Sequence, residues 1–256
     1  MAGVNHLAGL GVLVTRPEHQ ARPLCDLLEQ AGASVQRLPL LAIEPVADLA
    51  GVAQRLRQAR GWDHWIFTSA NAARQAASVD AGRWPPLAAA GAATAAALDQ
   101  AGHAGVLVPD GLDGTAGLLA DPRFAAPAGQ RILIVTGDNT LPQLAEGLRA
   151  RGAEVEVLAV YRRVPVPHAP QTVADAIAAS RVAIVSSGEA LAHLLRLTPP
   201  GARARLLSLQ LALPSPRMIE KALEMGFTQT PLLPARVSDA AYLELLERWC
   251  MVSKSQ

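Results

Sequence analysis

Only two of the 23 basic residues, Lys221 and Lys254, are lysine, and only Cys25 and Cys250 carry thiols. Both cysteines fall inside helical patterns, so reduced thiols are expected and a disulfide framework is excluded. Charged residues make up 18% of the chain and the net charge is +1, which offers no general attraction to nucleic acid or membrane. Half of the residues are hydrophobic, which excludes a disordered chain. The longest run of small apolar residues, Leu87 to Leu98, is too short and too rich in alanine to span a bilayer. Met1 to His6 show neither a basic segment nor a cleavage pattern, so a cytoplasmic location is expected.

Signatures of familiar chemistry are missing too. No strand leads into G-x-G-x-x-G, and there is no G-x-x-x-x-G-K, no paired-cysteine spacing, no H-E-x-x-H and no G-x-S-x-G elbow. The six histidines are scattered and suit surface or packing roles, as the four tryptophans suit packing. The first apolar run ends in Thr15-Arg16-Pro17, where a phospho-acceptor receiver would need acids.

What is present is a polar turn, written twice. Trp65-Ile66-Phe67 reads as a buried strand and gives way to Thr68-Ser69-Ala70-Asn71, after which Ala72, Ala73, Ala76 and Ala77 follow at helical spacing. Val182 to Val185 likewise leads into Ser186-Ser187-Gly188-Glu189 and a stripe of Ala190, Leu191, Leu194 and Leu195. Where a strand meets a helix, backbone N–H groups lack partners and favour an anion. Ser, Thr and Asn cap any such helix, so one turn says little. Two, about 120 residues apart, suggest a duplicated unit with two facing sites.

The neighbouring text repeats in register. Gly11 to Val14, a helix stopped at Gly32 and a strand from Ser34 to Leu38 are echoed by Arg131 to Gly137, a helix through Leu141, Leu144, Ala145 and Leu148, and a strand from Val155 to Tyr161. Gly91 to Gly102 with a short strand at Val106 to Pro109 is echoed by Leu206 to Gly226 with Thr230 to Pro234. Strands alternating with short helices predict parallel sheets covered on both faces, in two lobes. Which first module joins which later pair stays open at this level.

In combination, Val12-Leu13-Val14-Thr15-Arg16-Pro17, Ile66-Phe67-Thr68-Ser69-Ala70-Asn71, Gly91-Ala92-Ala93-Thr94-Ala95 and Val160-Tyr161 resemble the uroporphyrinogen-III synthase family, in order and over nearly the whole chain. Ser186-Ser187-Gly188-Glu189 departs from the family's common Thr-Ser-Pro, and Leu213-Pro214-Ser215-Pro216-Arg217 replaces its second Gly-x-x-Thr. The resemblance implies an α/β fold of two flavodoxin-like, doubly wound parallel-sheet lobes joined by a two-stranded linker. Residues 1–38 with 166–256 would form one lobe and 43–160 the other, with 39–42 and 161–165 as linkers.

It also implies a cyclising loss of water from linear hydroxymethylbilane, with inversion of ring D, and no metal or organic cofactor. The substrate carries eight carboxylates, and its pyrrole nitrogens stabilise the azafulvenium left when hydroxide departs. Repeated N–H and hydroxyl donors would suffice for such positioning catalysis. By resemblance Tyr161 faces the cleft and assists the departing hydroxyl. Thr15, Arg16, Thr68, Ser69, Asn71, Gly91, Thr94, Ser186, Ser187, Ser215 and Arg217 are the expected substrate contacts. Plain helix caps, a strand-end aromatic and a surface ion pair are the competing readings for these groups. The expected partner is this small molecule alone, with no nucleic acid and no membrane. The chain is expected to be a monomer, with at most transient contact with the preceding pathway enzyme. A two-lobed small-anion-binding module and a noncatalytic paralogue are the alternatives.

Overall fold

The computed structural model describes residues 6–110, 114–138 and 142–253. Residues 1–5, 111–113, 139–141 and 254–256, with Leu141 of the expected helix and Lys254 among them, lie outside the described residues. In chain order the elements begin with β1 (Gly11–Val14), α1 (Glu18–Gln30), β2 (Ser34–Arg37), β3 (Leu41–Pro45) and α2 (Leu49–Gln58). Next come β4 (His64–Phe67), α3 (Ala70–Val79), β5 (Leu87–Ala89), α4 (Ala92–Gln100) and α5 (Gly114–Ala120). The second half supplies β6 (Arg131–Gly137), α6 (Gln143–Ala150), β7 (Glu154–Pro165), α7 (Pro170–Ala178) and β8 (Val182–Ile184). It ends with α8 (Gly188–Leu197), α9 (Pro200–Leu207), β9 (Gln210–Ala212), α10 (Pro216–Glu224) and α11 (Asp239–Ser253).

The chain divides into two units, Met1–Ala42 with Val164–Gln256, and Ile43–Arg163. In the first, the strand order is β2-β1-β8-β9, with parallel pairing throughout. The other sheet has the order β3-β7-β6-β4-β5, and β7, β6, β4 and β5 run parallel. The first repeat of strand, helix and strand therefore joins the second copy of the hydroxyl turn, and the second repeat joins the first copy.

Alternation along each strand sends side chains to opposite faces. In the first unit Val12 and Val14 pack with Leu24, Leu28, Tyr242 and Leu246 of α1 and α11. Leu13 between them packs with Ile177, Leu191 and Ala222 of α7, α8 and α10. The second unit does the same with larger rings. Trp65 and Phe67 lie with Leu56, Ala73 and Leu98 of α2, α3 and α4, whereas Ile66 lies with Leu118 and Leu148 of α5 and α6. Each fully buried Val, Leu, Ile or Phe side chain among these contributes about 1.5–3 kcal/mol.

Helix ends repeat as well. Gly32 (φ 93°) and Gly152 (φ 87°) stand just past α1 and α6 in the left-handed region that favours glycine. Paired bonds close both ends: Gly32 N–H to Glu29 O with Ala33 N–H to Leu28 O, and Gly152 N–H to Arg149 O with Ala153 N–H to Leu148 O.

Helices α7 and α9 fill stretches that carried almost no assignment from sequence, each with proline at its first helical positions. Two expectations need correction. The strands expected at 106–109 and 230–234 are single bridges, Ala88 to Leu107 and Ala212 to Leu232. Prolines at 109, 231 and 234 cannot donate to a longer ladder. Finally, Tyr161 does not end its strand; β7 runs on to Pro165. Both cysteines are buried.

Candidate functional site

The hydroxyl turn of the second unit is built by β4 and α3. Phe67 closes a strand buried from Trp65 onward, and Ser69 (φ −160°, ψ 155°) caps α3 by accepting from Ala72 N–H at 3.2 Å. Its hydroxyl lies 3.1 Å from Tyr161 Oη, while Thr68 Oγ1 lies 2.6 Å from Thr136 Oγ1 on the adjacent β6. Tyr161 is only 1% exposed, so its hydroxyl sits behind the half-buried Ser69. Arg163 donates to Tyr161 Oη at 3.2 Å. Register shifts between Thr136 and Gly137, and there the Tyr161 ring lies across the glycine. A Cβ at Gly137 would stand 2.5 Å from Tyr161 Cζ. Asn71 is half-buried in the first turn of α3.

Gly91 begins α4 in extended backbone (φ 178°), and Thr94 N–H donates to its carbonyl at 3.0 Å. Thr94 itself is buried, 5% exposed. Neither residue is brought into hydrogen-bond contact with the Ser69–Tyr161 pair.

The turn of the first unit has the same backbone. Ser187 (φ −156°, ψ 156°) caps α8 by accepting from Ala190 N–H at 3.1 Å, and Ser186 beside it is exposed. Ser215 (φ −155°, ψ 154°) precedes α10, whose first turn carries Pro216 and the exposed Arg217. Lys221, one helical turn beyond Arg217, brings Nζ within 3.0 Å of where a Gly188 Cβ would be. An ammonium thus stands at the start of α8, where the helix dipole also favours an anion.

Thr15 and Arg16 are engaged within their own unit. Thr15 Oγ1 donates to Ile184 O at 2.9 Å and is buried, stitching β1 to β8. The Arg16 guanidinium pairs with Asp239 at 2.5 Å and lies 5.0 Å from the Tyr242 ring centroid, anchoring the start of α11. Burial pushes the Tyr242 hydroxyl up from its ordinary range, against the pull of Arg16.

Sequence reading missed four residues here: Thr136, Gly137, Arg163 and Lys221. Lys221 had a visible signal, a rare lysine four residues after Arg217 on one helix face. The other three depend on β6–β7 pairing, which no local pattern reveals. None of the expected site residues lines the hollow of about 650 Å³ at the other end of the second unit, bordered by Asp80, Trp84 and His103. Among the described residues no cluster of three or more His, Cys, Asp or Glu is placed to hold a metal ion, and no helix is long and apolar enough to cross a membrane.

Parallel sheets with hydroxyls, helix starts and a few cations gathered at the strand ends define an α/β protein suited to binding polyanions. A family model described as Uroporphyrinogen-III synthase HemD matches residues 23–234, and the chain belongs to that family. It is 29% identical to the uroporphyrinogen-III synthase of Escherichia coli over 240 residues, covering 90% of this chain and 98% of that one. The Salmonella typhimurium synthase is 28% identical over the same length and coverage. Among solved structures, a mutant uroporphyrinogen III synthase of Thermus thermophilus superposes with a TM-score of 0.62 at 19% identity, covering 95% and 99% of the two chains. The Helicobacter pylori uroporphyrinogen-III synthetase gives 0.61 at 13% identity, covering 94% and 99%. These likenesses establish the mixed α/β fold with parallel sheets.

Proposed function

We infer that the chain is a uroporphyrinogen-III synthase, a cyclising lyase of heme biosynthesis that closes hydroxymethylbilane with ring D inverted and water released. The family match across residues 23–234 carries the reading, and the geometry agrees with it. Neither turn presents a strong base or a metal cluster among the described residues, and the reaction needs neither: the substrate's own pyrroles stabilise the cation. What the protein must supply is a grip on carboxylates and a proton for the departing hydroxide.

The two units supply these differently. Thr68, Ser69, Thr136 and Tyr161 form fixed hydroxyl pairs suited to proton delivery. Ser186, Ser187, Ser215, Arg217 and Lys221 gather donors and cations suited to carboxylates. Asn71, Gly91 and Thr94 add donors near the first set. Thr15 and Arg16 act through support, holding β8 and α11.

The fold assignment follows the same reading. Counting β1 or β6 as first, each unit has the order 2-1-3-4-5 once the bridges at Leu232 and Leu107 are included, the flavodoxin-like arrangement. We take β3 and the outer part of β7 as the two-stranded linker, with 39–42 and 161–165 as its segments. The protein acts as a cytoplasmic monomer.

The test is freshly prepared hydroxymethylbilane with product isomers resolved. The expected product is isomer III. Isomer I alone, at the rate of the protein-free blank, would contradict the function.

A further inference from the structure

Arg163 lies two residues beyond Tyr161 on β7, so the two side chains share a face of the sheet. Its guanidinium donates to Tyr161 Oη at 3.2 Å and sits 5.6 Å from the ring centroid. The backbone fixes both residues: Asp138 N–H donates to Tyr161 O at 2.9 Å, and Asp138 Oδ1 accepts from Arg163 N–H at 3.2 Å. Across the ring, Gly137 leaves room for the phenol in this position, because a Cβ there would stand 2.5–2.8 Å from Cζ, Cε2 and Oη.

Hydrogens at this cluster can be counted. Arg163 donates to Tyr161 Oη, and Ala72 N–H donates to Ser69 Oγ. One hydroxyl hydrogen lies between the two oxygens, which are 3.1 Å apart. Two hydroxyls hold two hydrogens, so one is left over. Neither Arg163 nor Ala72 can accept it. When Tyr161 donates to Ser69 the spare hydrogen is on the half-buried Ser69 hydroxyl, which can present it to a ligand, as the buried Tyr161 hydroxyl behind it cannot.

We propose that Arg163 is a positioning residue for the proton that leaves with the substrate hydroxyl, an inference that rests on the synthase reading and on Tyr161. The carbon–oxygen bond of the hydroxymethyl group breaks with its electron pair on oxygen. The spare O–H gives that oxygen its proton, and water departs. The adjacent pyrrole nitrogen supplies electrons to form the azafulvenium. Negative charge passes to the Ser69–Tyr161 pair and settles on the phenol oxygen beside the guanidinium. The pair regains its proton when the cyclised product loses one from ring carbon. Without Arg163 the phenol loses both its orientation and its counter-charge.

The experiment compares Arg163→Met and Arg163→Lys, each alone and with Tyr161→Phe, on hydroxymethylbilane with isomer III quantified. Arg163→Met is expected to lower kcat about 10- to 100-fold with KM unchanged, the worth of one charge-assisted hydrogen bond. Arg163→Lys should recover most of the loss, and Tyr161→Phe should make Arg163→Met silent. Parent-like turnover of Arg163→Met beside an impaired Tyr161→Phe would overturn the role of Arg163 alone. So would an equal loss in the Tyr161→Phe background. Full activity of Tyr161→Phe would instead overturn the assignment of Tyr161 on which the inference stands.

Discussion

The two units carry one backbone device and two sets of side chains. Ser69 and Ser187 cap their helices with φ and ψ angles that differ by only a few degrees. Val14 pairs with Ile184 inside the first unit as Ile134 pairs with Ile66 inside the second, so Arg16 occupies the place that Thr136 holds. In the second unit that place completes a hydroxyl pair; in the first it sends a cation to Asp239. Leu41, at the position matching Tyr161, is buried apolar packing. Duplication preserved what the main chain needs and left the strand-end side chains free to diverge. That is why the repeat is plain in the sequence and the functions of its halves are not.

The sharpest break in the comparison is Tyr161→Phe, which removes a hydroxyl bonded to Ser69 and Arg163 but keeps the ring packed. Isomer III formation should fall by about 10²-fold or more, with the melting temperature within a few degrees of the parent. Parent-like turnover would refute the role of this hydroxyl.

A second contrast lies where the two first strands begin. Gly11 in β1 has the carbonyl of Ala179 against its α-carbon, whereas the matching position of β6 is Arg131 with its side chain exposed. Gly11→Ala should destabilise the protein by about 1–3 kcal/mol through overpacking, read as a lower denaturant midpoint. Arg131→Ala should cost less. Equal midpoints for the two variants would show that the backbone relaxes freely.

The titrating groups divide as well. In the second unit burial holds His64 and His103 below the ordinary histidine value, and hydrogen bonds from Arg123 lower Asp121. Groups with depressed values contribute stability that is lost as pH falls, here through the histidine range below 6.5 and then the carboxylate range. In the first unit burial raises Cys25 and Tyr242, whose contributions are lost as pH rises above the ordinary thiol and phenol values of 9.0 and 10.0. Hydrogen exchange should therefore show acid opening the Trp65 unit first and alkali the Tyr242 unit first. The same order at both extremes would contradict this small effect.

Much of the scaffold was legible because it is local. The apolar run Gly11 to Val14, the stop at Gly32 and the hydroxyl cap at Ser69 each declare themselves in a few residues. Helices α7 and α9 escaped although each opens on proline, which is at home in a first helical turn. The site was half legible. Ser69 and Ser187 were visible as caps, but the partners Thr136 and Arg163 reach the cluster only through pairing of β6 with β7 and a shift of register at Gly137. Arg16 looked like a ligand for substrate, and its carboxylate lies 223 residues away in the same chain.

The proposed division between a proton-delivering turn and an anion-holding turn is tested most directly by Ser69→Ala against Ser187→Ala. Each loses the same kind of helix cap, worth about 0.5–2 kcal/mol, so stability should fall alike. Kinetics on hydroxymethylbilane should then separate them: Ser69→Ala lowers kcat for isomer III at nearly constant KM, and Ser187→Ala raises KM at nearly constant kcat. The same change in both variants, or the reverse assignment, would contradict the account.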